Sequence, residues 1–217
     1  MTEQLLSALI AIGIMILVGF PVHEFSHAYA AYRLGDSTAR WQGRLTLDPR
    51  VHFDPIGGLM LLVGAVLTGG RFFLGWAKPT PVNPYNLQFG RRGEAIVALA
   101  GPLSNLLMAA AVAIPLRLIA MDAGLVDTIR SSDVALFIFN TAGFFVLINV
   151  FLMVFNLLPI PPLDGWRVLL GLLDARTAYT LRQYEQYGFL LILLIILVGA
   201  PYVSGLVFAV HNFLLGI

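Results

Sequence analysis

The chain contains no cysteine, which excludes disulfides and every metal site built on thiolate. A bound metal must therefore be held by His, Asp, Glu or Asn. Charge is scarce as well: 12% of the residues are Asp, Glu, Lys or Arg, about half the share of a soluble domain. The net charge of +1 gives no electrostatic reason for a nucleic-acid partner, and none is expected. No internal repeat is visible, and no low-complexity segment beyond the apolar runs. Hydrophobic residues, by contrast, make up 59% of the chain. The few charges are clustered, leaving residues 4–22, 55–70, 95–116, 134–163 and 186–217 free of them. A membrane-spanning helix needs roughly 20 apolar residues. Four of the five runs reach or approach that length, and 55–70 falls short. The chain is an integral membrane protein with several spans, embedded in the lipid bilayer.

The first span covers about residues 4–34, with Gly35 as its stop. Glu3, the absence of a basic residue ahead of it and the absence of a small-residue cleavage site argue for a retained span over a signal peptide. The alternation Arg44-Leu45-Thr46-Leu47, between Gly43 and Pro49, predicts a short strand. Arg33, Arg40, Arg44 and Arg50 precede the run 55–70, and Arg71, Lys78, Arg91 and Arg92 follow it. Basic residues on both sides imply that both are cytoplasmic. The run then enters and leaves by one face, as a re-entrant segment buried by protein; the competing reading is a thin ordinary span. Core spans are expected over 94–120 and 134–160, and a C-terminal segment over 188–217, either bent at Pro201 or split in two. The fold class is all-α and polytopic, with about five or six membrane segments. A short membrane-associated β element after the first span completes it, within a β/re-entrant region over 40–80. The same rule puts His23 and Asp164 near the cytoplasmic boundary of a plasma membrane.

The first apolar run ends in Pro21-Val22-His23-Glu24-Phe25-Ser26-His27. Positions i and i+4 share a helix face, so His23 and His27 can offer two imidazoles to one metal ion. Glu24, about 100° round the helix, is placed to act on a metal-bound water as general base. Ionisable residues inside a span are costly, and they default to a functional reading. Pro21 deletes a backbone hydrogen bond just ahead of the motif and predicts a local kink. A catalytic zinc takes three protein ligands and keeps one position open. Glu94, Glu185, Asp164 and His52 are the candidates for the third. Asp164 follows a proline-rich helix stop and precedes Gly165. The alternative role for it is N-cap of a helix starting at Trp166.

Taken together, "HEFSH" at 23–27, "GPLSN" at 101–105 and "NLLPIPPLDG" at 156–165 resemble the site-2 proteases, the intramembrane zinc metalloproteases of peptidase family M50. "RLTLDPRVHFDPIGG" at 44–58 resembles a stretch of their compact prokaryotic subgroup, which lacks a PDZ domain. The resemblance implies one metalloprotease domain over 1–217 and one Zn2+ per chain, held by His23, His27 and Asp164. It implies Glu24 as base and proton shuttle, and Asn156 as a catalytic donor to the substrate carbonyl or the tetrahedral intermediate. Asn105 matches a position that packs on the catalytic helices and touches substrate; interhelical hydrogen bonding is the competing role for it, and the only one for Asn149. His52 is either a substrate contact, a fourth ligand or the holder of a surface hydrogen bond.

The expected reaction is zinc-dependent hydrolysis of peptide bonds in the transmembrane segments of single-span membrane proteins. An unwound substrate needs backbone partners, and the edge formed by Leu45, Thr46 and Leu47 would supply them by strand addition. The other function classes are an ion- or proton-conducting transporter and a non-catalytic protein that binds membrane segments. Transport gives no reason for a Glu directly after His23.

Overall fold

The structure is a computed structural model that describes residues 3–68 and 75–216. Residues 69 and 70, which end the short apolar run, and Arg71 lie outside the described residues. Among the described residues, four helices are long and apolar enough to cross a membrane. They are α1 (Glu3–Arg33), α3 (Arg91–Ala120), α4 (Asp133–Asn156) and α6 (Glu185–Leu215). A shorter apolar helix, α2 (Pro55–Thr68), follows α1, and an amphipathic one, α5 (Asp164–Leu172), follows α4. Four long helices replace the expected five or six segments. The tail is one continuous helix, and α2 is too short to be counted with them.

Helices α1, α3 and α4 pack against one another, and α5 lies along α3. In lipid the helices gain little from burying apolar surface, so close backbone approach and interhelical hydrogen bonds must hold them. The sequence provides for this with small residues. Ser7, Ala8 and Ala11 of α1 are fully buried, as are Ala109 and Ala113 of α3. Along α3, Gly101, Asn105, Ala109 and Ala113 recur every four residues and form one buried stripe. Ile12, Met15, Leu61, Ala65, Ile148 and Leu152 fill the core between α1, α2 and α4.

Two prolines shape the spans. A π turn at Met15–Gly19 precedes Pro21 in α1, and another at Ile195–Gly199 precedes Pro201 in α6. Proline has no N–H and its ring collides with the carbonyl four residues back; a widened turn relieves the collision. The kink expected at Pro21 and the bend expected at Pro201 thus take the form of π turns. Helix α1 stops at Gly35, whose φ of +104° is open to glycine and strained for other residues.

The expected strand is absent, and there is no β element among the described residues. Residues 44–48 form a loop between one-turn helices at Thr38–Trp41 and Pro49–His52. Local bonds take the groups that a ladder would need. The Thr46 carbonyl accepts from His52 Nε2 at 2.8 Å, and Thr46 Oγ1 accepts from Asp48 N at 3.1 Å. The Arg44 guanidinium donates to the Val51 carbonyl at 2.6 Å. Such side-chain bonds compete with regular structure, and four alternating residues with no partner strand cannot outweigh them. The substrate edge assigned to Leu45, Thr46 and Leu47 loses its basis with the strand.

Candidate metal centre

The second half of α1 carries His23, Glu24 and His27 on its buried side. The first residue of α5, Asp164, meets the two imidazoles. Asp164 Oδ2 lies 3.4 Å from His23 Nε2 and 3.3 Å from His27 Nε2. The two Nε2 atoms are 3.1 Å apart. A tetrahedral site with bonds of roughly 2.0–2.1 Å has ligand–ligand edges of about 3.3 Å. The three observed edges match that figure, leaving the fourth corner for water or substrate. Two imidazole nitrogens and a carboxylate oxygen this close also need a cation or shared protons among them. The donor set, two nitrogens and one oxygen, suits zinc.

Each rival for the third ligand is committed elsewhere. Glu94 Oε2 accepts from Arg182 at 2.9 Å, and Glu185 Oε1 accepts from Trp166 Nε1 at 2.9 Å. His52 is fully buried with Nε2 on the Thr46 carbonyl, so it is neither at the metal group nor a surface contact for substrate. The capping alternative for Asp164 also fails: Leu163 is the N-cap of α5, and no side chain caps that helix.

Helix α3 lines the opposite wall. His27 Nδ1 donates to the Val97 carbonyl at 2.7 Å. A carbonyl can only accept, so Nδ1 carries the proton and Nε2 keeps its lone pair for a metal. His23 Nδ1 lies 2.6 Å from Asn105 Oδ1. Asn105 is fully buried and its Nδ2 donates to Asn149 Oδ1 at 3.0 Å. With both ends of its amide used, Asn105 holds a histidine and has no exposed group to offer a substrate. Gly101 permits this proximity, because a Cβ there would stand 2.3 Å from His27 Nε2 and 2.6 Å from His23 Cε1.

Sequence reasoning missed Thr80. Its backbone N donates to Glu24 Oε2 at 2.8 Å, and its Oγ1 donates to the Glu24 carbonyl at 3.0 Å. Residues 75–83 pass over Glu24 without regular structure. The loop is tied at Lys78 N to the His52 carbonyl (2.8 Å) and at Asn83 N to Asp36 Oδ2 (2.7 Å). No local pattern in Pro79-Thr80-Pro81 signals a contact 56 residues away. Asn156 ends α4, half-buried, and its side chain bonds no other described residue.

The chain is similar to known proteins over most of its length. The model of "Peptidase family M50" matches residues 8–200. YwhC of Bacillus subtilis, named as a zinc metalloprotease, is 37% identical over 182 residues, 84% of this chain and 78% of its own. Rip2 of Mycolicibacterium smegmatis, named likewise, is 32% identical over 87% of this chain and 70% of its own. Rip2 of Mycobacterium tuberculosis is 34% identical over 89% and 68%. No solved structure matches.

Proposed function

The chain belongs to peptidase family M50 and is an intramembrane zinc metalloprotease. From that premise we propose that it cuts the transmembrane segments of single-span membrane proteins, with one zinc per chain on His23, His27 and Asp164. The observation that supports this most is the near-equilateral triangle of ligand atoms, with edges of 3.1, 3.3 and 3.4 Å. Zinc, when bound, supplies the Lewis acidity that polarises a peptide carbonyl and brings the pKa of water to about 7. Glu24 takes a proton from the attacking water and returns it to the leaving amine. Its carboxylate is held by Thr80 N through Oε2, which leaves Oε1 for that exchange. Asn156 would donate to the oxyanion through its amide; one such donor is worth roughly 3–4 kcal/mol.

The site lies on the cytoplasmic side of a plasma membrane in this reading. Arg33, Arg40, Arg44, Arg50, Arg91, Arg92, Arg167, Arg176 and Arg182 flank the segments at that end, in accord with the excess of basic residues in cytoplasmic loops. A substrate helix must unwind there, and each bare polar group in lipid is costly. The stretch 75–83 is irregular backbone in contact with Glu24. Pro79 and Pro81 lack N–H groups, so that stretch offers carbonyl acceptors to substrate N–H donors at those positions.

The test is incubation of the purified protein with a single-span substrate, with and without chelator, and mass spectrometry of the fragments. Cuts inside the apolar segment that vanish with chelator and return with zinc are expected. Cleavage that persists in chelator would end the metalloprotease reading.

A further inference from the structure

We propose that Asn149, which touches neither metal ligand nor substrate, fixes the tautomer of His23 through Asn105 and so sets metal affinity; this rests on the metal reading above. A chain of hydrogen bonds runs from Asn149 to His23. Asn149 Nδ2 lies 2.9 Å from the Phe145 carbonyl. A carbonyl only accepts, so the amide nitrogen of Asn149 must face it and Oδ1 must face away. That oxygen in turn demands a donor, and Asn105 Nδ2 supplies it at 3.0 Å. Asn105 Oδ1 is thereby turned to His23 Nδ1, 2.6 Å away. An oxygen there requires Nδ1 to carry the proton, which leaves the lone pair on Nε2, beside Asp164. Each amide has one donating and one accepting end, so the polarity of one backbone carbonyl on α4 passes through two side chains to the imidazole on α1.

His27 needs no such relay, because Val97 of α3 presents its carbonyl directly. His23 Nδ1 instead meets a side chain of α3, that of Asn105. An asparagine alone would be ambiguous. Rotated by 180°, it would present NH2 to Nδ1 and favour the tautomer protonated at Nε2, which has no lone pair there for a metal. Asn105 and Asn149 are both fully buried and His23 is 7% exposed, so water cannot correct the orientation. Asn149 removes the ambiguity.

The competing role is interhelical glue. Hydrogen bonds between membrane helices are worth on average about a threefold change in equilibrium, with no reason to act on the metal. Partners that orient a metal-bound histidine typically change metal affinity by about 10–100-fold. The two roles therefore separate on zinc affinity, measured by chelator competition, and on the visible spectrum of the cobalt-substituted protein. Asn149→Leu is expected to weaken zinc about 10–100-fold with helix content unchanged. A carboxylate at position 105 can only accept, so Asn105→Asp orients His23 without help. The double variant Asn105→Asp/Asn149→Leu should then regain the affinity and the cobalt spectrum of the parent. Parent-like binding by Asn149→Leu would overturn the proposal, as would a folded double variant that stays weak. If Asn149→Leu does not fold, the double variant read against Asn105→Asp alone decides: equal affinities support the relay, and a further loss overturns it. A parent that binds no zinc would instead sink the metal reading itself.

Discussion

Two stretches of the chain share a shape and differ in everything built on it. Residues 16–21 read ILVGFP and residues 196–201 read ILVGAP. Both widen into a π turn just before the proline. Counted from the two prolines, His23 corresponds to Val203, Glu24 to Ser204 and His27 to Val207. In α1 the positions after the turn carry two imidazoles and a carboxylate. In α6 they carry two valines and a serine, and Val207 lies in one buried apolar cluster with Ala109, Ala113 and Val150. Surroundings differ as much: the apolar window of α1 is 44% buried and that of α6 is 6% buried. The proline dictates the widened turn; the helices around it decide whether that turn aims anything at a site.

The largest effect is expected at the carboxylate. Glu24→Gln should retain zinc and lose about 10²–10⁴-fold in turnover, the contribution of a positioned acid–base group, while Ser204→Ala leaves turnover as it was. Equal turnover in the two variants would mean that the two turns are not functionally distinct. Next come the prolines. Pro21→Ala restores a backbone donor and lets the turn tighten beneath His23; displacement of reacting groups by about 1 Å costs on the order of 10²-fold. Pro201→Ala changes only a sparsely packed helix, and the cleavage rate of this variant should stay at that of the parent. Rates that fall together would show that both turns serve the site.

Helix α1 also has a loop bonded to Glu24. Thr80→Pro deletes the N–H that holds Glu24. A hydrogen bond to a charged group contributes roughly 1.5–3 kcal/mol, so kcat should drop about ten- to a hundredfold with zinc content unchanged. Thr80→Val keeps the N–H and should lose far less; a loss as large as that of the proline variant would assign the effect to the hydroxyl. The smallest effect is expected at Asp36, which ties the loop through Asn83 and Asn86. Burial alone would raise its carboxyl, but the bonds from Thr38, Asn83 and Asn86 hold it below the ordinary range. A depressed folded pKa stabilises fully above the unfolded value of about 4 and is lost as pH falls through the lower folded value. Asp36→Asn should therefore lower the melting temperature slightly at neutral pH, with the gap closing in acid. A gap that widens in acid would reverse the assignment.

Composition and spacing alone were enough for an all-α membrane protein and for the pairing of His23 with His27. Charge-free runs of spanning length can be buried only in lipid, and an i, i+4 histidine pair shares a face wherever a helix forms. Only the packing of the helices brings Asp164 to both imidazoles, and it commits Glu94 to Arg182, 88 residues away, and Glu185 to Trp166, 19 residues away. It also erased the strand at 44–47, where alternation suggested pairing but no second strand lies among the described residues. Thr80, Val97 and the direction of the Asn105–Asn149 relay were illegible for the same reason. A hydrogen bond across 40 to 80 residues of chain depends on which helices touch, and local sequence does not encode that.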